Sequence, residues 1–366
     1  MSDWDRKVPK AGHVPALDGI RGLAVGIVLL HHLKVPGVHG GWLGVDLFFA
    51  LSGFLITQSV LGIPEGGGLG DFWRRRAWRL GPAMAVLLAW YLAVSVAAAD
   101  RGMRLRWLAA SASQVLNIHD AASKHGPFSP HLGHLWSLSA EVQFYVVWPL
   151  LLLALVRRGW SRPAVVGVAV ALFVGSSAER TFLALHHEQW NRLYLGPDTR
   201  STALWAGCVV GLLHHWGAFD RSPVLRPAAR ALAVPALAVL GALVMLPSMA
   251  FSTSRTPYLW GFTVIGLCAM VLVAAAATSG GGPLRPLLEA RPLEWLGRIS
   301  YSVYLWHVPL IAELVRARPG IGTPAKVAII VPASLLAGWL SYVVVERPLL
   351  SSAGRARLRR LVTPVG

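Results

Sequence analysis

Apolar residues in this chain come in long runs, and runs long enough to cross hydrocarbon recur over its whole length. They cover about residues 17–34, 42–61, 80–98, 135–156, 163–178, 200–216, 231–247, 258–278, 299–315 and 326–345. A helical span needs roughly 20 mainly apolar residues. Several of these runs are short or rich in glycine, which suits tilted or broken helices around a cavity. No polar stretch between them is long enough for a separate soluble domain. The pattern therefore predicts an all-α polytopic membrane protein with about ten transmembrane helices around a polar intramembrane cavity. The spanning domain is expected over 17–346, between a cytoplasmic segment 1–16 and a basic cytoplasmic tail 347–366. The N-terminal MSDWDRKVPKAGHV lacks a cleavable signal pattern, so the first apolar helix is expected to be retained. There is no internal repeat, which counts against a transporter built from inverted repeats.

Charge sets the expected orientation. The chain has 34 lysines and arginines against 17 acids, and charged residues make up only 14% of it. In a soluble protein such a balance would point to nucleic acid; here the cations sit between apolar runs, where they report topology. Ten spans with both termini inside put 21 Lys/Arg in cytoplasmic segments and 12 outside. Making the weakly apolar stretch Trp107–Ile118 an eleventh span reverses that bias, so it is expected to be an interfacial or re-entrant piece of an external loop. Cys208 and Cys268 both lie inside apolar runs, which argues against a disulfide or a metal site. The expected setting is a bacterial cell membrane, with no nucleic-acid partner.

The polar residues inside the runs carry the chemistry, because an ionisable group within a bilayer costs roughly 2.5–3.5 kcal/mol and marks function by default. In LDGIRGLAVGIVLLHHL, Arg21 and His32 are eleven residues apart, which brings them within about 20° around a helix, with Asp18 about 60° from Arg21. Asp46 lies just inside the next run, GGWLGVDLFFALSGFLIT. Ser137, Glu141, Tyr145 and Trp148 form one stripe of the run around 135–156, and Ser300, Tyr304 and His307 line one face of the run around 299–315. Asp18, Arg21, Asp46 and Glu141 are expected to converge with one another or on a hydrated pocket. The cluster DFWRRRAWRLGPA carries Arg74, Arg75, Arg76 and Arg79 among tryptophans; forked guanidiniums beside aromatic faces suit a phosphorylated ligand with a purine ring. Glu346 and Arg347 are read as a cap at the cytoplasmic edge. His119, His125, His131 and His134 are read as solvated or interfacial residues of an external loop.

Taken together, LDGIRGLAVGIVLLHHL, GGWLGVDLFFALSGFLIT, RRRAWRLGPA, LWSLSAEVQFY, PDTRSTALWAGC, GRISYSVYLWHVPL and VERP resemble the integral-membrane acyltransferase-3 family. Its members O-acylate bacterial polysaccharides, lipids, and macrolide or other polyketide antibiotics. The family's motif of an arginine, ten residues and a histidine falls on Arg21 and His32. The resemblance implies that His32 is the catalytic base and that the donor is an acyl-CoA. Val142 stands where the family often has a second acid after Glu141, and Gly81 replaces a bulkier residue before Pro82. No esterase-like extension of the kind some polysaccharide-modifying members carry is expected.

The function expected is transfer of a short acyl group, acetyl, propionyl or similar, from acyl-CoA to a hydroxyl. The acceptor is a glycoside, a polyketide or macrolide, or a cell-surface glycan, with a lean towards the first two. Histidine, unperturbed near 6.5, suits the base. Asp18 or Asp46 would orient its ring, and Arg21 with Tyr304 or His307 would stabilise the oxyanion. Glu141 completes the catalytic group; Arg75, Arg76 and Arg79 would hold the CoA phosphates. Ser52, Trp136, Tyr304 and His307 would line the substrate pocket. No tightly bound cofactor and no metal are expected. Neither cysteine lies in a nucleophile motif and Ser52 lacks the nucleophile-elbow pattern, so direct transfer is expected. The competing class is a proton-coupled transporter or exporter, whose buried relay of acids and histidines would look alike.

Overall fold

A computed structural model describes residues 13–64, 67–96, 98–122, 128–278 and 282–350. The expected N-terminal segment up to residue 12, His125 and the basic tail from 351 lie outside the described residues. The helices are α1 Pro15–His32, α2 Leu43–Leu61, α3 Gly70–Ser95, α4 Arg101–Ala112, α5 Leu116–Ala122, α6 Trp136–Arg157, α7 Arg162–Leu185, α8 Trp190–Leu195, α9 Thr202–His215, α10 Ala218–Arg221, α11 Leu225–Met245, α12 Phe262–Ala277, α13 Arg285–Leu288, α14 Arg291–Ala317, α15 Thr323–Ser341 and α16 Arg347–Leu350. No strand occurs among the described residues.

All ten expected runs are helices. Among the described residues, seven helices are long and apolar enough to cross a membrane: α2, α3, α6, α7, α11, α12 with the turn before it, and α15 with the turns after it. The other three are α9, which is short, and α1 and α14, whose apolar runs are interrupted by the ionisable residues of interest. The weakly apolar stretch forms no span. It splits into α4 and α5 at Gln114, whose φ of 58° breaks the helix.

Burial grades from the centre outwards. In α2, 78% of the apolar window is buried, against 22% in α3 and 17% in α15. The outer faces carry large exposed apolar side chains, such as Val86, Leu92, Leu232, Leu336 and Leu340. Apolar faces of that extent need hydrocarbon in place of water.

Two helix crossings position the site. α2 packs on α9 at backbone distance: a methyl group on Gly207 would lie 1.9 Å from the Ala50 carbonyl oxygen, and one on Gly53 2.0 Å from that of Leu204. α1 crosses α14 in the same way: a methyl group added to Gly297 would run into the Asp18 carbonyl oxygen. Small residues let helices approach this closely in lipid, where packing and hydrogen bonds replace the hydrophobic effect. The second crossing fixes α1, which carries Arg21 and His32, against α14, which carries Tyr304 and His307.

Candidate active site

A cavity of about 1030 Å³ opens between α1, α2, α3, α6, α9 and α14. Asp18 and Arg21 enter it from α1, Arg76 and Arg79 from α3, and Ser52, Glu141 and Tyr145 from α2 and α6. The Asp18 carboxylate is 3.9 Å from the Arg21 guanidinium. Ser52 and Tyr145 both donate hydroxyl hydrogen bonds to the same oxygen of Glu141. The Arg76 guanidinium lies over the rings of Phe72, at 5.6 Å, and Tyr145, at 5.4 Å. Trp73 donates its indole N–H to the Tyr145 carbonyl at 2.9 Å, pinning the start of α3 to α6. With Arg298, four guanidiniums thus line the cavity beside the carboxylates of Asp18, Glu141 and Glu346 and hydroxyls that include those of Ser52, Tyr145 and Tyr304. This suits a polyanion better than a neutral ligand.

A second polar group lies behind Tyr304, towards the C-terminal end of α1. Tyr304 and Ser137 line the cavity and hydrogen-bond each other at 2.6 Å. The ring of Tyr304 is 5.4 Å from His307 and 5.3 Å from His134, and His307 is 4.9 Å from His32. His134 and His307 are buried while His32 is partly exposed. The three histidines come from different elements: the end of α1, the turn before α6 and the middle of α14.

The hydrogen bonds settle which ring nitrogens carry protons, because a carbonyl can only accept. Nδ1 of His32 is 3.0 Å from the Val28 carbonyl, Nδ1 of His307 is 2.7 Å from that of Tyr304, and Nε2 of His134 is 3.2 Å from that of Leu305. In the neutral rings His32 and His307 therefore hold their protons on Nδ1, and the free lone pair of His32 is on Nε2. The Tyr304 hydroxyl lies 2.8 Å from the His134 carbonyl, so its proton stays within the triangle it forms with Ser137 and that carbonyl.

Several expected roles change on this geometry. Arg21 is about 16 Å along α1 from His32, too far to share an oxyanion with that ring, and belongs with the cavity arginines. Neither Tyr304 nor His307 has an uncommitted proton for an oxyanion. His307 also lies behind the cavity and does not line it. Arg75 points away from the cavity and is exposed; Arg76 and Arg79, three residues apart, are the pair that turns inwards. Asp46 pairs with Arg200, its two oxygens accepting at 3.0 and 3.2 Å, and both side chains are buried. Trp136 belongs to the aromatic cage of that arginine, with Phe262 at 4.1 Å, Tyr194 at 4.9 Å and Trp136 at 5.3 Å from the guanidinium carbon. Neither Asp46 nor Trp136 lines the cavity. Asp18 faces the cavity and His13 in place of His32.

The sequence reading also missed residues. His134 is no solvated loop residue; its position three before Ser137 would have put it on the same face. His131, also read as solvated, is buried against Tyr91 and hydrogen-bonds Glu313 at 3.1 Å; burial pushes its pKa below the usual histidine value. Glu346 is no edge cap: it is buried, accepts from Ser302 and reaches the cavity from a wide helical turn, Tyr342–Glu346. His214 and Gln58 form the opposite wall, 3.2 Å apart. Arg180, fully buried, donates to the Thr199 carbonyl and to Thr202 and Thr263 beside the Arg200 pair.

The sequence profile of the acyltransferase-3 family, described as an acyltransferase domain, matches residues 14–343. The chain belongs to that family. Among curated relatives, this acyltransferase-3 chain is 33% identical to the putative peptidoglycan O-acetyltransferase YrhL of Bacillus subtilis, over 95% of its own length and 57% of that protein. It is 31% identical to the peptidoglycan O-acetyltransferase OatA of Listeria monocytogenes, over 92% of its length and 56% of the relative. With the O-acetyltransferase OatA of Staphylococcus aureus the identity is 28%, over 94% and 58%. The chain thus spans less than two thirds of the length of these relatives. No solved structure matches it. The matched region runs from just before α1 through α15, so it contains both polar groups apart from Glu346.

Proposed function

We propose that this membrane-embedded acyltransferase-3 chain moves an acetyl or similarly short acyl group from acyl-CoA to a hydroxyl of a cell-wall glycan, with His32 as general base. The relatives' names favour such a glycan over the glycoside or polyketide towards which composition leaned. The observation that carries the reading is His32 itself: a partly exposed imidazole whose Nδ1–H is bound and whose Nε2 is free. It sits on the same helix as Arg21, at the far end from a cavity lined by arginines.

The arginines at 21, 76 and 79 hold the donor's phosphates, and its flexible thiol arm runs past Ser137 and Tyr304 towards His32. The acceptor reaches His32 from its exposed side. Nε2 takes the acceptor's hydroxyl proton as the oxygen bonds to the thioester carbonyl carbon. The carbon–sulfur bond then breaks, and the leaving thiolate takes the proton back from Nε2. General-base catalysis of this kind is worth about 10²–10⁴-fold. Cys208 is buried with its thiol towards the Gly53 carbonyl at 3.8 Å, so it offers no acyl-carrying nucleophile.

Purified protein in lipid nanodiscs, given labelled acetyl-CoA and soluble glycan fragments of cell wall, tests this. Release of CoA with label in alkali-labile ester is expected, together with its loss in His32→Gln and no label on the protein when donor is given alone. A transporter would release no CoA. Turnover that persists in folded His32→Gln would refute the assignment of the base.

A further inference from the structure

In a triad of serine, histidine and acid, an acidic side chain fixes the tautomer of the base; no carboxylate contacts His32 among the hydrogen bonds of the described residues. The group in that place is another imidazole. His307 is buried to 1% exposure, and its Nε2 lies 3.2 Å from Nδ1 of His32. Because Nδ1 of His307 gives its proton to the Tyr304 carbonyl at 2.7 Å, Nε2 is left as an acceptor, facing the Nδ1–H of His32. The Val28 carbonyl, 3.0 Å away, is the other acceptor for that proton. It also serves the backbone N–H of His32 four residues on, so its bond to the ring is shared.

We infer that His307 is a positioning residue that holds the proton of His32 on Nδ1 and so keeps Nε2 free as the base. It acts through His32 and does not touch the acyl group. The arrangement runs further into the protein: the Tyr304 carbonyl orients His307, and the Tyr304 hydroxyl is held by Ser137 and the His134 carbonyl. Since α14 carries both Tyr304 and His307, the tautomer of the base is set by the helix that crosses α1 at Gly297. When His32 becomes an imidazolium during turnover, the same lone pair of His307 accepts from a now charged donor. That hydrogen bond is stronger than its neutral form, so the contact contributes more after proton transfer than before.

The inference rests on the reading of His32 as base, and the test keeps the two apart. Full-length protein labelled with ¹⁵N-histidine in nanodiscs gives the tautomer of His32 directly, its resonances identified by their loss in His32→Gln. The expected wild-type state is the Nδ1–H form. In His307→Leu the Nε2–H form should appear alongside it. Turnover of acetyl-CoA with soluble cell-wall fragments should fall about 10- to 100-fold, the loss of one hydrogen bond to a charged group, with the half-saturating donor concentration unchanged. His307→Gln, which returns an acceptor oxygen close to the position of Nε2, should restore most of the rate and the Nδ1–H form.

A wild-type His32 protonated on Nε2, an unchanged tautomer and rate in His307→Leu, or a glutamine variant no better than leucine would each overturn the inference. If His307→Leu does not fold, the wild-type spectrum and the glutamine variant decide. If the wild-type protein turns over no acetyl-CoA, the proposed function fails, and the tautomer measurement alone still judges the role of His307.

Discussion

Arg75 and Arg76 are chain neighbours with opposite surroundings. Successive helical residues are about 100° apart, so Arg76 and Arg79 share the face of α3 turned to the cavity while Arg75 faces out. Arg79→Ala is expected to raise the half-saturating concentration of acetyl-CoA by roughly tenfold or more, the worth of one charge-assisted hydrogen bond to phosphate, whereas Arg75→Ala should leave it unchanged. Steady-state kinetics with donor varied check both. Equal effects of the two substitutions would show that the cluster acts through bulk charge. In the sequence Arg21, Glu141 and His32 stood out as candidates, because hydrocarbon tolerates few ionisable groups and each lies in a run that is otherwise mainly apolar. It could not show the fate of Asp46, because Arg200 is 154 residues away in sequence and reads as a loop cation at the edge of its run. His134 left one trace, its spacing of three from Ser137, which is outweighed in the sequence because a histidine just ahead of a span is ordinarily wet.

At the scale of elements, the apolar runs made the helices legible, while their contacts depend on residues too small to announce themselves. Gly207 on α9 and Gly53 on α2 let two backbones touch, and only the structure distinguishes them from Gly26, which has nothing within 4 Å of its missing side chain. Gly207→Ala would set a methyl group 1.9 Å from the Ala50 carbonyl, so the helices must part. Thermal unfolding in detergent should place this variant well below wild type, at a cost of about 1–3 kcal/mol, in the range of an overpacked core. Gly26→Ala should be neutral or slightly stabilising, since alanine is the better helix former by up to about 1 kcal/mol. Equal stability of the two variants would mean that α2 and α9 do not cross so closely. Glu346 was misplaced for a related reason. The wide turn Tyr342–Glu346 rotates the chain end relative to a regular helix, and such turns recur at functional positions.

For the whole molecule, composition and run length were enough for an all-α membrane protein with about ten helices, because the bilayer permits few alternatives to the helix. The cavity was expected as a hydrated meeting place for four charges. Three of those four are in it, and Asp46 forms a separate buried pair with Arg200 nearby. What links the two polar groups in the structure is α1, which holds Arg21 at the cavity and His32 about 16 Å further along. The central claim is that a donor anchored by arginines presents its thioester to His32. The most direct test is a cryo-electron microscopy map of the protein with bound acetyl-CoA or a non-hydrolysable analogue. The phosphates should lie between Arg21, Arg76 and Arg79, with the thioester carbonyl within hydrogen-bonding reach of an acceptor held by Nε2 of His32. Phosphates bound elsewhere, or a thioester on the far side of Tyr304 from His32 in every bound conformation, would contradict it.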